Sequence, residues 1–171
     1  IMDCSFILLI LGAVLFALWK CKYGFGGYDE PFYQTIPHRL TQGDALFKHE
    51  WNLSLLSSFL LYPFTWLYTT ITGGTTGILL AARYAYVFAH LAVSIAIYAR
   101  LRRFGFTSVI ASVLYFLFTP FNIMSLSYNS MGLDLITLTG VFLATADTSK
   151  KLPIILSGVF FAGAVLCQPY V

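Results

Sequence analysis

The sequence predicts an all-α, polytopic transmembrane protein. Hydrophobic residues make up 58% of the chain and charged residues only 10%, well under the roughly 25% charged residues of a soluble domain. Apolar runs recur at 5–19, 53–72, 77–99, 107–127, 130–146 and 152–168, each near the roughly 20 residues that cross a bilayer as a helix. Between the first two lies the single long polar stretch, 20–52, which holds Gly24, Gly26, Gly27, Pro31, Pro37 and four of the seven acids. A hydrocarbon environment forces each apolar run to satisfy its own backbone, so these runs are expected to be helices. The polar stretch is expected to fold outside the membrane.

The first run, 5–19, has no basic residue before it, and Leu18-Trp19-Lys20 is a poor cleavage site. A retained anchor is therefore expected rather than a secretory signal. The chain opens inside this run and stops at Val171 just after another, which suggests a piece of a longer protein. Cys4, Cys21 and Cys167 are widely spaced and read as small apolar residues rather than a disulfide or metal framework. No basic run interleaved with aromatics occurs, so nucleic acid is excluded as a partner.

The run 53–72 is ambiguous. Ser54, Ser58, Thr65, Thr69 and Thr72 form a weak polar stripe, Pro63 is expected to break its middle, and Tyr62, Trp66 and Tyr68 prefer the headgroup level. Either it spans, or it lies in the interface. The basic connections Arg100-Leu101-Arg102-Arg103 and Lys150-Lys151 belong on the cytoplasmic side by the positive-inside rule. If 53–72 spans, 20–52 is cytoplasmic; if it lies flat, the loop is exterior. Charge alone favours six spans.

Within the loop, Gly27-Tyr28-Asp29-Glu30-Pro31 sets two carboxylates just before a proline. Asp29 suits an N-cap and Pro31 the first helical turn, which predicts a helix from about 31 to 42. The same carboxylates, with Glu50, suit a general base or metal ligands at a membrane surface. His38 and His49 have no recognised ligand spacing and read as surface histidines. His90, inside the run 77–99, and Asp134, near the start of 130–146, are ionisable groups at membrane depth, which usually face a partner or a cavity. Arg83 is the partner expected for Asp134.

In order along the chain, these features are an apolar helix, Asp29-Glu30, an amphipathic segment ending in Arg39-Leu40-Thr41-Gln42-Gly43-Asp44, and a further acid in His49-Glu50-Trp51-Asn52. A helix with Arg83 near one end and Arg102-Arg103-Phe104-Gly105 at the other completes the series. In this order they resemble the GT-C superfamily of membrane glycosyltransferases, notably the branch of the lipid A aminoarabinose transferase and protein O-mannosyltransferase-like enzymes. The chain departs from many relatives where Trp51-Asn52-Leu53-Ser54 replaces a Pro-Pro pair, which bears on Glu50.

The resemblance implies that 20–76 is an extracytoplasmic loop with interfacial helices, and that a sugar moves from a polyprenyl-phosphate donor to a lipid, glycan or protein acceptor. It implies a bacterial plasma membrane with the site on the outer side. Asp29, Glu30 and Glu50 become the catalytic set, with Asp29 the most sensitive and Glu30 expected to tolerate Gln. A divalent metal would be held by Asp29 and Glu50. Arg83, Arg39, Tyr128 and Asn129 become substrate-binding residues. The alternative is a non-catalytic membrane protein, a transporter or assembly subunit, built around His90 and Asp134.

Overall fold

The computed structural model describes residues 1–24, 29–45, 47–49, 56–147 and 149–168. The described residues form seven α-helices, α1 (Met2–Lys20), α2 (Asp29–Thr41), α3 (Ser58–Thr72), α4 (Ile78–Leu101), α5 (Phe106–Leu117), α6 (Tyr128–Ala144) and α7 (Lys151–Cys167), with short 3-10 turns at Arg102–Phe104 and Pro120–Asn122. The all-α class follows. Two helical stretches, Met2–Lys20 and Ile78–Phe104, are long and apolar enough to cross a membrane.

Helices α1 and α4 run antiparallel, which polar contacts at both ends fix. At one end Asp3 of α1 accepts hydrogen bonds from Tyr98 and Arg102, and the Phe6 ring stacks on Tyr98 with centroids 4.0 Å apart. At the other end Arg83 of α4 donates to the Cys21 carbonyl just past α1, at 2.8 Å. The chain between α1 and α4 therefore leaves and returns at the same end, and α3 belongs to that connection. Its main packing partner is α2, onto which it turns Ser58, Leu61 and Thr65, while Trp66 and Leu67 face outward.

Pro63 does not end α3. Only the carbonyl four residues back, on Phe59, loses its donor, and the helix runs on to Gly73, whose left-handed φ of 71° terminates it. Gly77 is constrained from both directions. Its φ is +83°, and a Cβ there would lie 3.0 Å from the Tyr68 hydroxyl, which donates to the Thr76 carbonyl at 2.6 Å.

The core joins α1, α4 and α5 through Phe6, Ile10, Ala17, Tyr86, Val87, Tyr98, Val109 and Phe116. Small residues let α4 and α5 approach closely: Ser94 donates to the Ser112 carbonyl at 2.7 Å, and Val109 and Ser112 are fully buried. Helices α6 and α7 form a hairpin in which Ser157 bonds the Thr139 carbonyl at 3.1 Å. Gly163 lies so near Leu135 that a Cβ would meet it at 3.0 Å. Arg100 ties α4 to the end of α6 by two bonds to Thr145 and lies over the Phe142 ring. Arg100 and Arg102 thus lie at the Asp3 end of the bundle.

The run 107–127, expected as one helix, is broken. Helix α5 stops at Leu117, Thr119 is extended (φ −114°, ψ 110°), and Phe121 and Asn122 take positive φ of 53° and 57°. Pro120 is the cause, because it drives the preceding residue out of the helical region. A new helix starts at Tyr128, where Ser127 and Ser130 form a reciprocal capping box.

Candidate functional site

Helix α2 buries Glu30, Tyr33, Gln34 and Pro37, the i, i+3, i+4, i+7 face of a helix. Glu30 therefore points inward, and Asp29, one position earlier, is exposed. Asp29 is itself the first residue of α2 rather than a cap outside it. Pro31 costs nothing there, since the first-turn N–H groups have no intrahelical partner.

Glu30 meets Arg83 in a two-pronged ion pair: Arg83 Nε donates to Oε1 at 2.5 Å and Nη2 to Oε2 at 2.6 Å. The side chains are 2% and 12% exposed. The guanidinium also donates through Nη1 to the Cys21 carbonyl and through Nη2 to the Gly24 carbonyl, at 2.8 and 3.0 Å. Arg83 thus holds the end of α1, the turn after it and the start of α2 as one unit. Its expected partner Asp134 lies elsewhere: it is held by His90, seven residues or about two turns further along α4 from Arg83, and by Tyr115.

The pair borders a cavity of about 160 Å³ lined by Lys20, Cys21, Tyr23, Gly24, Glu30, Arg83, Asn122, Ile123 and Met124. Lys20 is exposed and forms no ion pair with a described residue. Because Arg83 has four donations fixed by protein oxygens, Lys20 is the cation left to meet an incoming anion. A second, mostly apolar cavity of about 50 Å³ shares Lys20 and Met124 with the first and runs inward past Phe16, Val87 and Phe116 to His90. Burial pushes the Cys21 thiol up, against the opposing influence of Arg83.

Tyr128 and Asn129, at the start of α6, reach the same region. Tyr33 and Tyr128 meet edge to face with centroids 5.3 Å apart, and Asn129 accepts a hydrogen bond from Gln168 at 3.0 Å. Burial, then Tyr128 and the Asp29 charge, push the Tyr33 hydroxyl up to about 12. Gln34 donates to the Leu126 carbonyl at 3.3 Å, fastening α2 to the segment before α6. Asp29, Glu30, Arg83, Tyr128 and Asn129 are therefore neighbours around one surface, joined by Lys20, Tyr33 and Gln34, which the sequence reading passed over. Tyr33 and Gln34 had a usable signal in the helical repeat from Glu30; Lys20 had only its place after α1.

Arg39 is not part of this group. It lies nine residues beyond Glu30, roughly 14 Å along the helix, and pairs with Asp44 at 2.6 Å. His38 bonds locally to Gln42, and the His49 Nδ1 accepts the Ala45 N–H at 3.2 Å. Glu50 lies outside the described residues. Among those described, no group of three His, Cys, Asp or Glu side chains could hold a metal ion, and the carboxylate beside Asp29 is engaged by Arg83.

Among the described residues, this region thus offers an exposed carboxylate, Asp29, and an exposed cation, Lys20, the latter at the mouth of an apolar cleft. No protein-family model, curated protein or solved structure matches this chain.

Proposed function

We propose that the chain is the membrane domain of a GT-C-type glycosyltransferase, which moves a sugar from a polyprenyl-phosphate donor to an acceptor hydroxyl on the extracytoplasmic side. The observation that carries this reading is the division of labour within Asp29-Glu30. Glu30 is spent on a buried pair with Arg83 that lines a cleft polar at its mouth and apolar below, while Asp29, the neighbour of Glu30 in sequence, stays exposed. A donor with a phosphate head and a hydrocarbon tail fits such a cleft. The end of the bundle with Arg100 and Arg102 faces the cytoplasm by the positive-inside rule, which puts the cleft outside. The outward apolar side chains of α1 and α7, such as Leu8, Leu15 and Ile155, then face lipid.

In the reaction the acceptor oxygen bonds to the anomeric carbon, the bond from that carbon to the phosphate oxygen breaks, and Asp29 takes the hydroxyl proton. Charge on the leaving phosphate is poorly solvated at a membrane surface. Lys20 compensates it, and Arg83 contributes by positioning. No step is assigned to a metal. A lipid, glycan or protein acceptor each supplies the same attacking hydroxyl oxygen.

The test is sugar transfer by the full-length protein in proteoliposomes with a polyprenyl-phosphate sugar. Asp29→Asn should lower turnover about a hundredfold or more, the contribution of a general base, with folding unchanged. Near-normal turnover in that variant would overturn the assignment of Asp29. One observation favours the alternative of a transporter or assembly subunit, the buried His90–Asp134 pair. Both imidazole nitrogens are already matched to protein oxygens, as in a fixed joint rather than a binding site.

A further inference from the structure

The end of α5 poses a problem that His90 solves. Helix α5 has only 12 residues and ends well inside the bundle, since its last carbonyls meet His90, seven residues and roughly 10 Å along α4 from Arg83. The last carbonyls of a helix have no partner of their own, and irregular backbone at membrane depth persists only where protein satisfies it or where it lines a cavity. Both conditions are met. His90 Nε2 lies 3.0 Å from the Tyr115 carbonyl and 3.2 Å from the Phe118 carbonyl. The segment beyond them supplies Thr119 and Met124 to the inner cavity and Asn122, Ile123 and Met124 to the outer one.

His90 is in turn fixed from its other nitrogen. Nδ1 is 2.6 Å from Asp134 Oδ1 on α6, the same oxygen that accepts the Tyr115 hydroxyl at 2.7 Å. The imidazole is 1% exposed and stacked between Tyr86 and Tyr115, with centroids 5.1 and 4.6 Å away. Both neighbours of Nε2 are carbonyl oxygens, which can only accept, so Nε2 must carry the hydrogen. The proton between Nδ1 and Asp134 is shared with a carboxyl group.

We propose that His90 is a positioning residue for the outer cavity: oriented by Asp134, it donates from Nε2 to the end of α5 and so fixes the 118–127 segment that walls the site. The far end of the same segment is held by Gln34 through the Leu126 carbonyl, so the wall is tied at depth by His90 and at the surface by α2. The role does not depend on which ligand the cavity takes. A histidine serves here where an apolar residue would pack equally well, because the Phe118 carbonyl would otherwise lose its donor, and the Tyr115 carbonyl and Asp134 would each keep a single one, the Phe118 N–H and the Tyr115 hydroxyl.

The test uses the full-length protein in lipid nanodiscs with ¹⁵N-labelled histidine, the His90 signals being identified by their loss in His90→Gln. Nε2 should show the resonance of a protonated ring nitrogen, and Nδ1 the signature of a strong hydrogen bond that is lost in Asp134→Asn. Amide hydrogen exchange supplies the second readout. His90→Phe keeps a ring in the stack and removes the Nε2 donor, and it should speed exchange across 118–127 about tenfold, the effect of losing one buried hydrogen bond, while α1 and α7 stay unchanged. An unprotonated Nε2, or exchange in 118–127 that His90→Phe leaves as it was, would overturn the proposal. Absence of sugar transfer in the parent protein, with both signatures present, would remove the transferase reading and leave this one standing.

Discussion

Replacing Glu30 by Gln tests whether the Glu30–Arg83 pair is the joint that sets the site. The substitution keeps the shape and removes the charge. Arg83 would keep its bonds to the Cys21 and Gly24 carbonyls but lose the carboxylate that now receives two of its donations at 2.5 and 2.6 Å. With side chains only 2% and 12% exposed, water does little to screen the loss. Breaking a buried pair from one side costs roughly 3–5 kcal/mol, because the remaining charge is stranded. The assay is reversible unfolding of the purified protein in mixed micelles, scored as a cycle with Arg83→Met and the double variant. The double variant should be more stable than Glu30→Gln alone, since it removes the stranded cation. A cost of about 0.5 kcal/mol or less for Glu30→Gln, the size of an ordinary surface change, would refute the reasoning. The expectation drawn from sequence, that Glu30 tolerates Gln better than Asp29 tolerates Asn, concerns sugar transfer and is read in a separate assay.

Three further outcomes are expected. Tyr33 should remain protonated near pH 11, where a free tyrosine is mostly ionised. Because its pKa is raised in the folded state to about 12, the folded form holds its proton longer than the unfolded one, and stability falls as pH rises from about 10 through 12; phenolate absorption compared between the parent and Tyr33→Phe measures it. Gly77→Ala should destabilise by about 1–2 kcal/mol from its left-handed backbone alone, with a further loss as the Tyr68 hydroxyl is displaced, read from the unfolding midpoint. Thr75→Cys, in a Cys4→Ser background that leaves only the buried Cys21 and Cys167, should react with an impermeant maleimide from outside intact cells, and labelling from the cytoplasmic side alone would reverse the proposed orientation.

Much of the architecture is carried by local chemistry. Apolar runs of bilayer length made helices at 2–20, 78–101, 128–144 and 151–167, near their expected positions, since a hydrophobic run with no internal breaker has one way to satisfy its backbone. The helix at Asp29-Glu30-Pro31 could be read because the first turn tolerates proline. The break after Leu117 was equally local, since Pro120 stands in the sequence, yet it was passed over because hydropathy treats an interrupted helix and a whole one alike.

Other features needed three dimensions. Arg83 and Glu30 are 53 residues apart and His90 and Asp134 are 44 apart; nothing in either segment names its partner, and pairing Arg83 with Asp134 from their expected depths was wrong. Composition likewise left open whether 53–72 crosses beside the first helix, because its polar stripe and its apolar length argue in opposite directions. The contacts Arg83–Cys21 and Arg102–Asp3 bear on it through the geometry of the bundle. They fix α1 and α4 antiparallel, so the chain between them must begin and end on one side. Hydropathy and proline thus set which segments are helical. Which charge meets which, and so which carboxylate is left exposed, was decided only when distant helices desolvated those groups and each buried charge had to find a partner.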